Sequence, residues 1–104
     1  MSAWLKLCRL EEIPALGSRV VPRNGSSIAV FRAADDVVFA LQDACPHKGG
    51  PLSQGIVHGH KVTCPLHGWN IELDKGTACA PDEGCAKTYP TRLSEGVVWL
   101  QLDD

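Results

Sequence analysis

With 104 residues, a net charge of −2 and a hydrophobic fraction of 44%, the chain can build one core but not two. The near-balanced charge leaves no footprint for nucleic acid or an anionic membrane surface, and no apolar run approaches the ~18 residues of a membrane span. The opening MSAWLKLCRL has neither the apolar stretch nor the cleavage site of a signal peptide, so a cytoplasmic chain is expected.

Taken in order, the segments read as β. Ala3 to Leu10 alternates around Trp4, Leu5 and Leu7 as an opening strand, and Glu11-Glu12-Ile13-Pro14 makes one turn before Gly17. Arg19–Val21 and Ser27–Phe31 form a hairpin about Asn24-Gly25, the positive-φ turn signal. A turn at Asp35-Asp36 leads to a strand over Val37–Leu41. Gly55 to Thr63 predicts a small hairpin with His58-Gly59-His60 at its tip, read as solvated turn residues because no thiol or carboxylate lies near them in sequence. Trp69–Leu73 is a strand turning at Asp74-Lys75-Gly76, and 80–84 is loop. Lys87–Leu93 and Val97–Leu102 close the chain as a hairpin around Ser94-Glu95-Gly96. No window shows helical periodicity. The expectation is all-β, about ten short strands in a small antiparallel sandwich or incomplete barrel. One domain over residues 1–104 carries a projecting ligand-bearing piece at about 43–73.

The chemistry lies in CPHKGGPLSQGIVHGHKVTCPLHGW, residues 45–69. It holds two short ligand pairs, Cys45-x-His47 and Cys64-x-x-His67, with sixteen residues between them. Each cysteine precedes a proline. Zinc modules usually pair like with like; here each box supplies one thiol and one imidazole. That suits a two-metal site in which each loop gives one ligand to each metal, as in a 2Fe–2S centre with two thiolates on one iron and two imidazoles on the other. The competing reading is a mononuclear zinc site, and iron content with visible absorption decides between them. Around the boxes, Gly49-Gly50-Pro51 lets the backbone fold back, while Leu52, Leu66 and Trp69 are expected to shield the sulfides from water. Lys48 reads as a surface charge. Of five cysteines, Cys8, Cys79 and Cys85 remain. An odd remainder without an export signal argues for small buried thiols rather than a Cys79–Cys85 bridge.

The two boxes resemble those of Rieske proteins, which implies the Rieske fold, with Cys45, His47, Cys64 and His67 as both cofactor-binding and metal residues. It also implies a one-electron carrier. Two ferric ions, two sulfides and two thiolates sum to zero charge, so one added electron reaches only minus one. Imidazole ligation therefore raises the potential to roughly −150 to +300 mV, against about −400 mV for plant-type ferredoxins. High-potential respiratory relatives carry a disulfide between the boxes, where this chain has Gly50 and Leu66. They also carry serine and tyrosine donors, where it has Trp69 and Ile71. Fewer donors stabilise the reduced charge less, so a potential nearer about −150 mV is expected.

Over nearly the whole chain, including APDEGCAKTYPTRLSEGVVWL, the sequence is similar to the Rieske-bearing small subunit of bacterial NAD(P)H-dependent nitrite reductase. That likeness implies a large partner subunit carrying FAD, a 4Fe–4S cluster and sirohaem, which reduces nitrite to ammonia in nitrogen assimilation. The chain itself has no nucleotide-binding glycine motif and no sirohaem ligand set, so catalysis belongs to a complex. Tyr89 and Arg92 read as core and strand-surface residues. The alternative is a ferredoxin running between a flavoprotein reductase and an aromatic-ring dioxygenase. A third reading is an assembly subunit whose cluster only stabilises the fold.

Overall fold

The computed structural model describes residues 3–23, 26–44, 51–65, 68–78 and 84–102. Ten strands run through them: β1 (Ala3–Arg9), β2 (Ser18–Arg23), β3 (Ser26–Arg32), β4 (Val38–Gln42), β5 (Ile56–His58), β6 (Lys61–Thr63), β7 (Asn70–Glu72), β8 (Thr88–Tyr89), β9 (Thr91–Ser94) and β10 (Val97–Leu102). The helical elements among these residues are two single 3₁₀ turns, Leu10–Glu12 and Leu52–Gln54. None is long and apolar enough to cross a membrane. The chain is all-β, as expected, and among the described residues no sheet closes into a complete barrel.

Three antiparallel sheets form, ordered β1-β10-β9, β2-β3-β4-β8 and β5-β6-β7. The second lies between the other two, and β3 shows why. Its run Ile28-Ala29-Val30-Phe31 is apolar at every position, the signature of a strand covered on both faces. Ile28 and Val30 point to a core shared with Cys8, Val98 and Leu100 of the first sheet. Ala29 and Phe31 point the other way, to a core shared with Val57, Val62 and Ile71 of the third. β4 divides in the same manner, with Val38 and Ala40 in the first core and Leu41 in the second. Flat alternation would have served one core; continuous apolarity serves two.

One expectation needs correction. Lys87–Leu93 is not a single strand. β8 pairs with β4 in the middle sheet, Tyr89 opposite Ala40, whereas β9 pairs with β10 in an outer one, Arg92 opposite Trp99. Pro90 falls at the switch. It has no N–H to give a ladder and its φ is locked, so the chain changes sheets there. The Thr91 hydroxyl fastens the crossover by donating to the Val38 carbonyl at 2.7 Å. Tyr89 is half-buried against the first core, and exposed Arg92 stacks its guanidinium 4.4 Å from the centre of the Trp4 ring. Both match their sequence reading. The turn at Asn24-Gly25 lies outside the described residues, although β2 and β3 pair on either side of it, up to Arg23 opposite Ser26.

The β9–β10 hairpin carries a small local cost. Between paired Ser94 and Val97, Glu95 and Gly96 take φ of 53° and 77°, the two positive values of a type I′ turn. Glycine accepts this freely, whereas a residue with a Cβ pays roughly 1 kcal/mol. Asparagine tolerates the left-handed region better. Glu95→Asn is therefore expected to raise the melting temperature by about 2–5 °C, measured by calorimetry.

Candidate metal centre

The two boxes expected to carry ligands follow β4 (Val38–Gln42) and β6 (Lys61–Thr63) in the chain. Of the four expected ligands, Cys45, His47 and His67 lie outside the described residues, as do Lys48, Gly49, Gly50 and Leu66. Cys64 is described. It follows β6 directly, is a free cysteine, and is 1% exposed. It belongs to the second core with Leu52, Val62, Ile71 and Leu73, against which Trp69 packs half-buried. Leu52 is fully buried in the same core as Cys64. Ile71 is fully buried in the same core, so the position where high-potential relatives place a tyrosine offers no hydroxyl here.

The described residues that flank each box are drawn together by hydrogen bonds. At the first, Asp43 stands two residues before Cys45, and its carboxylate accepts from the Ser53 backbone N–H at 2.7 Å and from the Ser53 hydroxyl at 2.8 Å. This bidentate, charge-assisted pair spans the whole of the loop between them. The Ser53 carbonyl in turn accepts from the Ser18 hydroxyl at 2.9 Å, which ties the neck to β2. At the second, the Cys64 N–H donates to the Trp69 carbonyl at 2.7 Å and the Gly68 N–H donates to the Cys64 carbonyl at 3.0 Å. Gly68 has φ 71°, so the turn out of the loop uses a glycine where other residues would be strained. The ligand motif did not single out Asp43, Ser53, Thr63 or Asn70. Polar residues beside turns are common, and only tertiary pairing separates these from ordinary loop residues.

The two non-ligand histidines are more engaged than expected. His58 closes β5, and its Nε2 lies 2.7 Å from the Thr63 hydroxyl. His60 stands in the turn after Gly59, whose φ is 57°. It has a carboxylate partner after all, Asp35 Oδ2 at 2.9 Å, and its ring meets Phe39 at a centroid distance of 5.0 Å. Twenty-five residues separate His60 from Asp35, so proximity in sequence could not reveal the pair. Through it the third sheet is tied to the β3–β4 turn.

The hydrogen bond from His60 holds the Asp35 carboxyl below its ordinary value, with partial desolvation opposing it. A depressed carboxylate stabilises the fold above the unfolded pKa and loses that contribution as pH falls through the folded one. The stability difference between wild type and Asp35→Asn is therefore expected to be present at neutral pH and to shrink below about pH 4. Urea melts across that range test it.

Cys8 and Cys85 divide. Cys8 is buried, and burial pushes its thiol up, against an opposing pull from Arg19; it is the small core residue expected. Cys85 is exposed instead. It is paired with Thr77 in an isolated antiparallel bridge, and because its neighbour Ala86 is buried, alternation of extended backbone turns Cys85 out. Cys79 lies outside the described residues, as does nearly all of the 80–84 loop. Among the described residues no three His, Cys, Asp or Glu side chains form a metal-sized group.

A buried free thiol heading a tight loop, inside an apolar wall, fits a metal-bound thiolate, and the mixed donor set of the two boxes fits a 2Fe–2S centre. Known proteins agree. The chain is 38% identical over 87 residues to a 4beta-methylsterol monooxygenase of Methylococcus capsulatus, covering 73% of this chain but only 23% of that longer protein. It is 29% identical to the ferredoxin component of a naphthalene 1,2-dioxygenase/salicylate 5-hydroxylase system of Ralstonia, over 96% of both chains. A solved structure of a candidate nitrite reductase (NADPH) small subunit superposes with a TM-score of 0.82 at 29% identity, covering 94% of this chain and 97% of that one. The family described as the Rieske [2Fe-2S] domain matches residues 3–90. The chain belongs to that family.

Proposed function

We propose that this Rieske-type one-electron carrier is a ferredoxin serving an oxygenase system, taking electrons from a flavoprotein reductase and passing them to the oxygenase. The observation that carries the reading is the match to a dioxygenase ferredoxin component, which runs end to end in both chains. This ranks first the alternative that the sequence resemblance had placed second. In this reading Cys45, His47, Cys64 and His67 hold the cluster, within a cluster-binding part spanning about residues 43–73 of a single domain. When bound, the cluster supplies a one-electron couple. The chain's own residues do the rest. Leu52, Ile71 and Trp69 limit water, and the absence of a hydroxyl at Ile71 favours the low end of the family's potentials.

A second reading, the small subunit of a nitrite reductase whose partner bears FAD, 4Fe–4S and sirohaem, draws support from the structural likeness at 29% identity. A tagged chain expressed in its own host separates the two. Reduction by a purified flavoprotein reductase, coupled to an oxygenase, supports the first. Stable recovery with a large sirohaem protein overturns it in favour of the second. A potential titration of the same protein is expected to give a midpoint nearer about −150 mV than the upper end of the range.

A further inference from the structure

The outer face of the third sheet carries a hydrogen-bonded chain that neither the ligand motif nor the core explains. Strand alternation buries Val57, Val62 and Ile71 and leaves His58, Thr63 and Asn70 on the opposite face. Thr63 and Asn70 are register partners, and the Thr63 hydroxyl donates to Asn70 Oδ1 at 2.6 Å. That commits the only hydroxyl proton. His58 Nε2, 2.7 Å from the Thr63 oxygen, must therefore carry its hydrogen and donate. A longer branch from the same nitrogen reaches Asn70 Oδ1 at 3.3 Å. The chain thus has one direction, from imidazole to hydroxyl to amide oxygen.

Its position gives it consequence. Thr63 and Asn70 are the last pair of the β6–β7 ladder before the second ligand loop. Immediately beyond them the Cys64 N–H meets the Trp69 carbonyl. Resting on the Rieske carrier reading, we propose that His58 is a positioning residue: through Thr63 and Asn70 it holds the neck of the second ligand loop shut and fixes where Cys64 presents its sulfur. Hydrogen bonds in such a chain reinforce one another, and partners one step removed from a metal ligand tune both retention and potential. Lys61 stands opposite His58 and Glu72 opposite Lys61 on the same face, so the test must separate the loss of a donor from a change in surface charge.

Two substitution pairs do this in the iron-loaded protein. Thr63→Val removes the hydroxyl at constant shape, and Thr63→Ser restores it. His58→Leu removes the ring donor, whereas His58→Gln keeps an N–H without any titratable charge. Thr63→Val and His58→Leu are expected to move the midpoint potential and the rhombic paramagnetic spectrum, and to release iron to a chelator about tenfold faster. Thr63→Ser and His58→Gln are expected to stay near wild type. The proposal is overturned if the first two match wild type in potential and iron release, or if His58→Gln shifts as far as His58→Leu. Should Thr63→Val fail to fold, the pair of substitutions at exposed His58 decides the matter alone. Wild-type protein without a 2Fe–2S signature would remove the carrier reading as well; a normal wild type with unmoved variants removes the clamp alone.

Discussion

Cys64→Ala is expected to yield a chain that has lost its visible absorption and retains iron more than about tenfold less well than wild type. The reasoning starts from burial. A cysteine that is 1% exposed and free can be a small core residue, as Cys8 is, or a ligand turned inward. What separates Cys64 from Cys8 is the backbone around it. Cys8 lies within β1, opposite Val98 just after a register shift at Leu7, and its side chain packs in the first core. Cys64 heads a loop whose own N–H and carbonyl are both used to fold the loop back on itself. Iron analysis, absorption and the paramagnetic signal after dithionite read the outcome. Cys85→Ser is the control, since that thiol is exposed, and it is expected to change none of them. A Cys64→Ala protein with a full iron complement would remove Cys64 from the ligand set.

Gly55→Ala is expected to destabilise the fold by about 2–3 kcal/mol, the cost of overpacking a site that cannot yield. Gly55 has an ordinary φ of −80°, so backbone freedom is not what requires glycine. Space is. A Cβ there would land on the Thr63 carbonyl oxygen and 2.9 Å from a Val62 methyl. The first obstacle is β6 backbone, held between β5 and β7, and the second is a fully buried side chain. Relief requires moving either β6 or the Leu52–Gln54 turn, whose last bond is the Gly55 N–H to Leu52 carbonyl at 2.9 Å. Both movements disturb a ligand loop, the one ending at Leu52 or the one starting at Cys64. A melting temperature lowered by roughly 10 °C should therefore be accompanied by faster iron loss. Gly59→Ala is the informative comparison. It meets no neighbouring atom, so its cost comes from φ alone, and iron retention is expected to hold.

These outcomes bear on the same small sheet, and they separate its tasks. Val57, Val62 and Ile71 attach it to the middle sheet through the shared core. His60 ties its turn to Asp35, and Gly55 allows the first loop's exit to lie against β6. Its outer face keeps the second neck closed. A sheet of three-residue strands has little ladder of its own, so its stability depends on these attachments.

Much was legible in the sequence because it is local. Period-two alternation and the Gly, Asn and Asp turn signals are properties of neighbouring residues, and, Lys87–Leu93 apart, they placed the strands within a residue or two. The mixed Cys/His boxes are likewise local, since their meaning lies in residue type and spacing, and they identified the family that the match over residues 3–90 supports. What eluded the linear reading depends on residues far apart meeting in space. Pro90 divided a strand because two sheets, not one, awaited its halves. Cys85 turned outward because its neighbour was needed in the core. Asp35 found His60 only once the sheets had stacked, Asp43 found Ser53 only once the chain between them had closed, and His58 found Thr63 only once the β5–β6 hairpin had formed. Residue chemistry and short-range geometry decided which elements form and what metal chemistry they suit. Tertiary packing alone decided which polar side chains hold the loops that carry it, because hydrogen bonds a few ångströms long are chosen by position in space and leave no periodic trace in the chain.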